Sequence, residues 1–237
     1  MVLRFFLFVV VFLFISCHTV ERDNPEDPSS RNYVGASSSS SSINYGSLIY
    51  EDKTYKTVVI GEQTWMAENL TVVRTGNKCY GNSNANCLKY GRLYDWATAM
   101  NLPSDCNSFS CEFLVMEKHQ GICPKGWHIP DFEDFLMLNN YVEEQKSCSA
   151  CSGIYLKAEN EWKGGEQKND FGFSALPGGY YDGVLNDFDE IVESGTWWTA
   201  TEEDDKSLFV FLGYNQDVLG GGYYSKKSFI SVRCLKD

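Results

Sequence analysis

Nine cysteines constrain what this chain can fold into more than any other feature of its 237 residues. Cys17 follows an apolar amino-terminal segment, and the other eight are spread over the rest of the sequence: Cys79, Cys87, Cys106, Cys111, Cys123, Cys148, Cys151 and Cys234. An even set of cysteines in an exported protein implies disulfide bonds. If the chain is exported and Cys17 is used separately, we expect a compact, cross-linked domain.

The amino-terminal residues predict export and a lipid anchor. Arg4 precedes a run of apolar residues, Phe5 to Ile15, which is too short to span a bilayer and is typical of a secretory signal peptide. The sequence that ends in Ser16-Cys17 resembles a bacterial lipobox. This resemblance implies a signal peptide over residues 1–16, cleavage before Cys17 and a diacylglycerol on the Cys17 sulfur, which anchors the protein to a membrane. An ordinary signal peptide followed by an incidental cysteine is the alternative.

The residue after Cys17 bears on which membrane holds the predicted anchor. His18 stands where some bacterial lipoproteins carry the aspartate that retains them at the inner membrane. We therefore expect an anchor in the bacterial cell envelope, at the outer membrane. Residues 17–46 are polar and include six consecutive serines, Ser37–Ser42, so they predict a flexible Ser-rich tether. Residues 47–237 remain for a single domain.

The charge balance excludes some partners. The formal net charge is −12, and loss of the signal peptide would remove only Arg4, leaving 19 basic against 32 acidic residues. Nucleic acid and anionic lipid surfaces both require a basic footprint. We expect no nucleic-acid partner, and contact with the membrane through the lipid alone.

The residue patterns of the domain predict an α+β fold. Thr54–Ile60 and Gln63–Met66 form a predicted β-hairpin. The apolar spacing from Leu93 to Met100 predicts a short amphipathic helix, and a second helix is expected over Phe132–Glu144, capped by Asp131. The strands predicted at the end of the chain are GTWWTAT, SLFVFLGYN and KSFISVRCL. Apolar residues on both faces of SLFVFLGYN are typical of a central strand.

The order of several short motifs resembles one family. These motifs are CYGNSNANC, KYGRLYDWATAM, LPSDCNSFSC, HQGICPKGWHIP, DFGFSALPGG, WWTATE and the terminal SVRCLKD. Together they are similar to the Fibrobacter succinogenes major paralogous domain, over residues from about Tyr50 to Asp237. That family consists of bacterial secreted proteins and lipoproteins. It has no established biochemical activity, so the resemblance does not point to a particular one.

The family looks related to the C-type-lectin-like fold, which the sulfatase-modifying enzymes also use. The segment GWHIPDFEDF resembles a corresponding segment of those enzymes. The implied architecture has two helices, a small irregular antiparallel sheet and long disulfide-braced loops. The Glu-Pro-Asn, Gln-Pro-Asp and Trp-Asn-Asp triplets of calcium-dependent lectins do not occur in the sequence. Sugar binding by that mechanism is therefore not implied.

The same resemblance implies a disulfide between Cys123, ahead of the second helix, and Cys234, on the last strand. The other six cysteines fall into local pairs: Cys79 with Cys87, Cys106 with Cys111, and Cys148 with Cys151. The last pair is a CxxC motif, which is a structural disulfide, a redox pair or half of a zinc site. A zinc site would need two further ligands, such as His119 and Cys123.

The remaining site candidates are a histidine, a group of carboxylates and a group of aromatics. His128 is a packed residue, a metal ligand or a base. Asp182, Asp187, Asp189 and Glu190 lie within nine residues and have the ligand type that calcium prefers, although their spacing is not that of an EF-hand. Tyr180, Tyr181, Tyr223 and Tyr224 are the candidate ligand-binding residues, as a stacking platform for sugar rings, with Tyr214 as a further member. The alternative is that most of these tyrosines are partly buried fold residues.

Three functions are consistent with these patterns. We expect a non-catalytic, lipid-anchored module that binds extracellular polysaccharide or a surface protein, without an obligatory cofactor and with calcium as a possible addition. The first alternative is a structural protein of the envelope without a small ligand. The second is a thiol-dependent or metal-dependent enzyme related to the sulfatase-modifying factors. The sequence offers no nucleophile, base and acid set, so we predict no enzymatic activity.

Overall fold

The structure is a computed structural model that describes residues 42–237. The predicted signal peptide, the predicted lipidation site Cys17 and most of the predicted tether lie outside the described residues. Among residues 42–237, no helix has the length and apolar character needed to cross a membrane.

The described residues are rich in strands and contain a few short helices, so the α+β prediction is confirmed. The strands are β1 (Gly46–Tyr50), β2 (Lys53–Ile60), β3 (Gln63–Met66), β4 (Leu93–Tyr94), β5 (Trp127–His128), β6 (Gly178–Asp182), β7 (Asp187–Ile191), β8 (Ser194–Glu203), β9 (Lys206–Gly213), β10 (Gly220–Ser225), β11 (Ile230–Ser231) and β12 (Leu235–Lys236). The α-helices are α1 (Asn84–Tyr90), α2 (Trp96–Ala99), α3 (Phe132–Lys146) and α4 (Ser152–Leu156). Short 3-10 turns cover Tyr80–Asn82, Ser104–Asn107 and Glu112–Leu114.

The strands form two five-stranded sheets and a separate hairpin, which is more sheet than the sequence predicted. The first sheet has the order β1-β2-β3-β12-β5, and the second has the order β10-β9-β8-β11-β4. β6 and β7 form a separate two-stranded sheet. Among the named strands of residues 42–237, β11 and β8 form the one parallel pairing, at Ser231 and Trp197. The predicted β2–β3 hairpin is confirmed, with Ile60 opposite Gln63 across the turn.

Helix α3 confirms the helix predicted over Phe132–Glu144. The Asp131 side chain accepts a hydrogen bond from the Asp134 backbone NH, and the Asp134 side chain accepts one from Asp131. This reciprocal capping box satisfies two backbone donors at the start of the helix. Phe135, Leu138 and Val142 share its buried face and pack into a core that includes residues from both sheets.

The helix predicted from Leu93 to Met100 is wrong in its first part. Leu93 and Tyr94 form β4 and pair with β11, and only Trp96–Ala99 is helical. Leu93, Tyr94 and Trp96 are all buried, so this segment has no exposed polar face. The spacing of its apolar residues therefore does not distinguish a helix from a buried strand. The prediction of two helices is also wrong, since α1 and α4 occur in segments with no marked helical pattern.

A buried polar network ties the carboxy-terminal segment to the core. Arg233 is fully buried and lies 4.3 Å from the Phe173 ring and 5.5 Å from the Trp197 ring. Its Nε and Nη2 donate to Asn69 Oδ1 over 3.1 and 2.8 Å, and Trp197 Nε1 donates to the same oxygen over 2.9 Å. Burial lowers the pKa of Arg233 to about 9. Within residues 42–237 no carboxylate contacts the guanidinium, and the amide of Asn69 and backbone carbonyls satisfy it instead.

The eight cysteines of the described residues are joined in four disulfides. Cys123 bonds to Cys234 across 111 residues with a Cα–Cα distance of 5.9 Å. The local pairs are Cys79–Cys87, Cys106–Cys111 and Cys148–Cys151. Cys234 directly precedes β12 instead of lying on a long last strand, and β12 pairs with both β3 and β5. The long cross-link therefore lies beside an internal strand of the first sheet.

The domain extends beyond the predicted boundary at residue 47. Ile43 and Tyr45, which the sequence placed in the tether, pack against the core that contains α3. The Tyr45 hydroxyl lies 3.2 Å from Ser174 Oγ. A side chain at Gly172 would collide with Ile43, because a Cβ there would come within 2.4 Å of it. The last residues of the predicted tether are thus part of the folded unit.

Candidate functional site

The exposed side of β9 and β10 carries a row of aromatic rings. Phe209 and Phe211 lie on one face of β9, stacked at 5.6 Å with an angle of 25° between their planes. The antiparallel register places Gly222 opposite Phe209 and Gly220 opposite Phe211. The other face of β9 packs Val210 and Leu212 into the core. This strand therefore separates a buried apolar layer from a partly exposed aromatic one.

The glycines of β10 allow this arrangement. A Cβ at Gly220 would lie 2.7 Å from the Phe211 ring, and one at Gly222 would lie 3.3 Å from the Phe209 ring. On the opposite face, a Cβ at Gly221 would come within 2.5 Å of Phe132. The GGG sequence is thus explained by rings that lie against the strand on both sides.

Tyr180 and Tyr224 complete the aromatic wall. Their ring centroids are 5.6 Å apart in an edge-to-face arrangement, and Tyr224 lies 5.4 Å from Phe209. The Tyr224 hydroxyl donates to Asp182 Oδ2 over 2.9 Å. Asp182 Oδ1 in turn accepts hydrogen bonds from the backbone of the β6–β7 turn, from Val184 over 2.7 Å and from Leu185 over 2.8 Å. The wall is therefore held by the hairpin as well as by the sheet.

These residues enclose a cleft of about 200 Å³, which we call the aromatic cleft. It is lined by Tyr180, Glu190, Ser194, Thr196, Phe209, Phe211, Tyr224 and Ile230. Tyr180, Phe209 and Tyr224 pack against a buried apolar cluster that includes Trp96, Trp198 and Ile230, which fixes their positions. The cleft combines flat apolar faces with a few polar groups, as ligand sites commonly do.

The electrostatics of the aromatic cleft are negative. Burial raises the pKa of Glu190, the charges of Asp189 and Glu193 raise it further, and a hydrogen bond with Ser194 opposes the rise. Burial also raises the pKa of Tyr180, and the charges of Glu190 and Asp189 add to the effect. For Tyr224, burial and then the Asp182 carboxylate raise the pKa. Both phenols are therefore neutral and lie near carboxylates.

The other two predicted tyrosines lie elsewhere. Tyr181 packs edge-on against Phe188 at 4.9 Å and Phe229 at 5.5 Å, with Lys78 Nζ 4.4 Å above its ring. Tyr223 points to the opposite face of β10 and is 51% exposed. The structure thus brings Tyr180 and Tyr224 together and keeps Tyr181 and Tyr223 apart from them.

Sequence reasoning missed Phe209 and Phe211 as members of the site. The apolar residues on both faces of SLFVFLGYN correctly indicated an internal strand of the sheet, and β9 lies between β8 and β10. That pattern also implies cover on both faces. The neighbouring sequence GGG could have indicated the site. A strand of glycines has no side chains to cover the Phe209 and Phe211 rings on the adjacent strand. Tyr214, the further tyrosine considered, packs against the core that contains α3.

The carboxylates considered for calcium are already engaged in local hydrogen bonds. Asp187 Oδ1 accepts from the Phe188 NH and Asp189 Oδ1 from the Glu190 NH, each over 2.8 Å. Asp182 uses both of its oxygens, as described above. Within residues 42–237, no group of three or more His, Cys, Asp or Glu side chains is placed to hold a metal ion.

The residues considered for zinc are likewise engaged. Cys148 bonds to Cys151, and Cys123 bonds to Cys234. His119 Nδ1 accepts from the Met116 NH over 3.3 Å, so its Nε2 carries the proton and donates to the Met100 carbonyl over 2.8 Å.

A second cavity, of about 400 Å³, lies between the loop of residues 112–119 and the start of α3. We call it the acidic cavity, because its lining includes the carboxylates Glu112, Glu117, Asp131, Asp134 and Glu202. His128 also lines it, with Nε2 3.4 Å from Asp134 Oδ2 and Nδ1 2.8 Å from Asp237 Oδ1. Burial opposes the charged form of His128, but the two carboxylates more than offset it, so its pKa is raised.

The comparison with known families gives a clear assignment. The model of the Fibrobacter succinogenes major domain matches residues 58–236. This chain belongs to that family. The match covers most of the sequence and confirms the resemblance seen in the short motifs. No curated protein and no solved structure matches the chain.

Proposed function

We propose that this member of the Fibrobacter succinogenes major domain family is a non-catalytic binding module held at the bacterial cell surface by lipid on Cys17. Its ligand is an extracellular polysaccharide, and the aromatic cleft is the binding site. The observation that carries the proposal is the stacked pair Phe209 and Phe211 beside the bare glycine backbone of β10, with Tyr180 and Tyr224 at one end.

The chemistry of the aromatic cleft suits a sugar ring. Pyranose rings have an apolar face of C–H groups, which packs on aromatic side chains, and a rim of hydroxyls that need polar partners. Glu190 supplies a carboxylate next to the rings, and the largely buried Ser194 and Thr196 also line the cleft. Because the rings already rest on the core, little side-chain entropy is lost when a ligand binds.

The charge of the aromatic cleft narrows the class of polysaccharide. Burial raises the pKa of Tyr180, and the charges of Glu190, Asp189 and Asp182 raise it further, which supports a negative potential in the cleft. A uronic acid or a sulfated sugar would meet these like charges and lose affinity. We therefore propose neutral or amino-sugar polymers as ligands.

The lectin-like relationship forms part of this proposal. The α+β composition and the disulfide from the segment ahead of α3 to the end of the chain support a C-type-lectin-like fold. We propose that binding does not need the calcium site of classical lectins, since the aromatic cleft offers stacking and hydrogen bonding instead. An anchored, cross-linked domain of this kind suits adhesion to an insoluble polymer outside the cell.

Pull-down on insoluble neutral polysaccharides, such as cellulose, xylan and chitin, tests the proposal. Phe209→Ala and Tyr224→Ala should each weaken binding about tenfold, or ~1.4 kcal/mol. Tyr223→Ala is the matched control and should bind like the unchanged protein, because this exposed ring lies on the other face of β10. Equal binding by all four proteins would refute the aromatic cleft as the site. Release of soluble reducing sugar during the incubation would refute a non-catalytic role.

A further inference from the structure

The loop Phe109–Met116, which we call the apolar loop, exposes large apolar side chains. Phe113 is 83% exposed, Met116 is 70% exposed and Phe109 is 68% exposed. Isolated exposed apolar residues are common on protein surfaces, but three within eight residues of one short loop are not. The aromatic cleft does not use these side chains.

The backbone of the apolar loop is nevertheless held firmly. The Cys106–Cys111 disulfide closes its first part. The Cys111 NH donates to Glu202 Oε1 over 2.7 Å, and Lys226 Nζ donates to the Phe109 carbonyl over 3.3 Å. The Met116 NH donates to His119 Nδ1 over 3.3 Å at the other end.

The groups that hold the loop are themselves buried. Glu202 and Lys226 form an ion pair with side chains only 3% and 0% exposed, and Lys226 Nζ lies 4.4 Å from the Trp96 ring centroid. Removing two charges from water is costly unless they are well paired. The chain thus uses a buried ion pair and a disulfide to display apolar side chains to solvent in a fixed arrangement. Such preorganisation lowers the entropy cost of binding a partner.

The acidic cavity decides what kind of partner fits. Its wall includes Glu112 and Glu117 from the loop region and Asp131 from the start of α3, all three exposed. Among the described residues that line it, Lys118 is the single lysine or arginine. A cationic side chain placed in this cavity, with apolar neighbours on the apolar loop, would satisfy both surfaces.

We propose that the apolar loop and the acidic cavity together form a docking surface for a protein segment that presents a lysine or arginine flanked by apolar side chains. A second copy of the chain fits poorly, because both copies would bring the same negative charge to the interface. An anionic lipid surface fits poorly for the same reason. Complementary charge selects a basic protein partner over both.

Selection from a random peptide display library against the purified full chain tests this surface. The selected peptides should share a lysine or arginine with aromatic or aliphatic neighbours, and their binding should weaken as salt is raised. Their affinity should fall at least tenfold in the double variant Phe113→Ser with Met116→Ser. It should fall similarly in Glu112→Lys with Glu117→Lys. Val184→Ser with Leu185→Ser is the matched control, since those side chains are 68% and 77% exposed in a different turn.

A second double variant tests whether binding needs the fixed conformation of the apolar loop or only its exposed side chains. Cys106→Ala with Cys111→Ala keeps every exposed apolar side chain but releases the loop, and it should weaken the same peptides at least threefold. The proposal is overturned if the selected peptides lack a basic residue, or if the Phe113 and Met116 variant binds them normally. It is also overturned if the full chain forms a dimer that Phe113→Ser abolishes, or if binding to phosphatidylglycerol vesicles depends on Phe113. None of these outcomes involves polysaccharide, so the fate of the aromatic cleft is decided separately.

Discussion

The Tyr224 hydroxyl donates a hydrogen bond to Asp182 Oδ2 over 2.9 Å, and this bond links the edge strand β10 to the turn of the β6–β7 hairpin. Tyr224 therefore has two roles in the aromatic cleft: its ring forms part of the wall, and its hydroxyl fixes the hairpin that contributes Tyr180 and Glu190. The contact therefore ties the two sides of the cleft to each other.

Tyr224→Phe separates these two roles. The variant keeps the ring but leaves a carboxylate oxygen of Asp182 without its partner, which should cost about 1–2 kcal/mol of stability. Polysaccharide affinity should fall about threefold, which is less than for Tyr224→Ala, because stacking persists. Isothermal calorimetry with soluble oligosaccharides and urea unfolding measure the two effects. Tyr223→Phe is the control, and an affinity loss as large as that of Tyr224→Ala would contradict a positioning role for the hydroxyl.

The glycines of β10 give a test that leaves every aromatic residue in place. Gly220→Ala puts a Cβ 2.7 Å from the Phe211 ring, so the ring must move, and polysaccharide binding should fall at least fivefold. Gly222→Ala puts a Cβ 3.3 Å from the Phe209 ring, which a small shift relieves, so its effect should be smaller. The two variants are compared in the same pull-down. If Gly222→Ala proves the more damaging, stacking beside the strand does not explain the binding.

The sequence predicted well wherever a local pattern had a single physical cause. The capping residues Asp131 and Asp134 and the buried stripe of α3 specify that helix without help from distant residues. The segment from Leu93 failed because a distant strand, β11, takes Leu93 and Tyr94 into a sheet, and no local periodicity encodes that pairing. Tertiary context overrides local preference in such segments.

The candidate site was predictable only in part for the same reason. Tyr180 and Tyr224 are 44 residues apart, and their contact depends on how the β6–β7 hairpin lies beside β10. The alternation of side chains along β10 does place Tyr223 and Tyr224 on opposite faces, so a pair of adjacent tyrosines could never form one platform in a strand. Recognition of GGGYY as a strand would have shown this directly.

The disulfides should contribute more to stability the longer the loop they close, with a logarithmic dependence on loop length. By the chain-entropy model, removal of Cys123–Cys234 should cost about 5 kcal/mol, and removal of Cys148–Cys151 about 2 kcal/mol. The first bond closes a separation of 111 residues and the second a separation of 3. Double Cys→Ala variants of each pair, unfolded in urea, give the comparison. Equal losses would show that the long cross-link does not constrain the unfolded chain as the model requires.

The proposed lipid anchor makes a prediction about location. Cys17→Ser should prevent lipid attachment and move the protein from the membrane fraction to the soluble fraction, because one modified cysteine with two or more acyl chains supplies stable anchoring. Metabolic labelling with a radioactive fatty acid should mark the unchanged protein and leave Cys17→Ser unmarked. Ser42→Cys, within the predicted tether, is a control that should keep both the label and the membrane location. A labelled Cys17→Ser protein would place the lipid elsewhere.

The contact of His128 with Asp134 and Asp237 predicts a pH dependence of stability. Because the two carboxylates raise the folded-state pKa of His128 above the ordinary value of 6.5, the charged form is favoured in the folded state. The stabilising contribution is therefore complete below about pH 6.5 and is lost as pH rises through the higher folded pKa.

His128→Gln should cost about 1–3 kcal/mol at pH 6, since it leaves two carboxylates without their partner. The difference in unfolding free energy between the two proteins, measured in urea at intervals from pH 5 to pH 9, should shrink as pH rises. Asp237→Asn removes one of the two carboxylates, so the loss should begin at a lower pH in that variant. A difference that stays constant or grows with pH would mean that His128 is not charged in the folded protein.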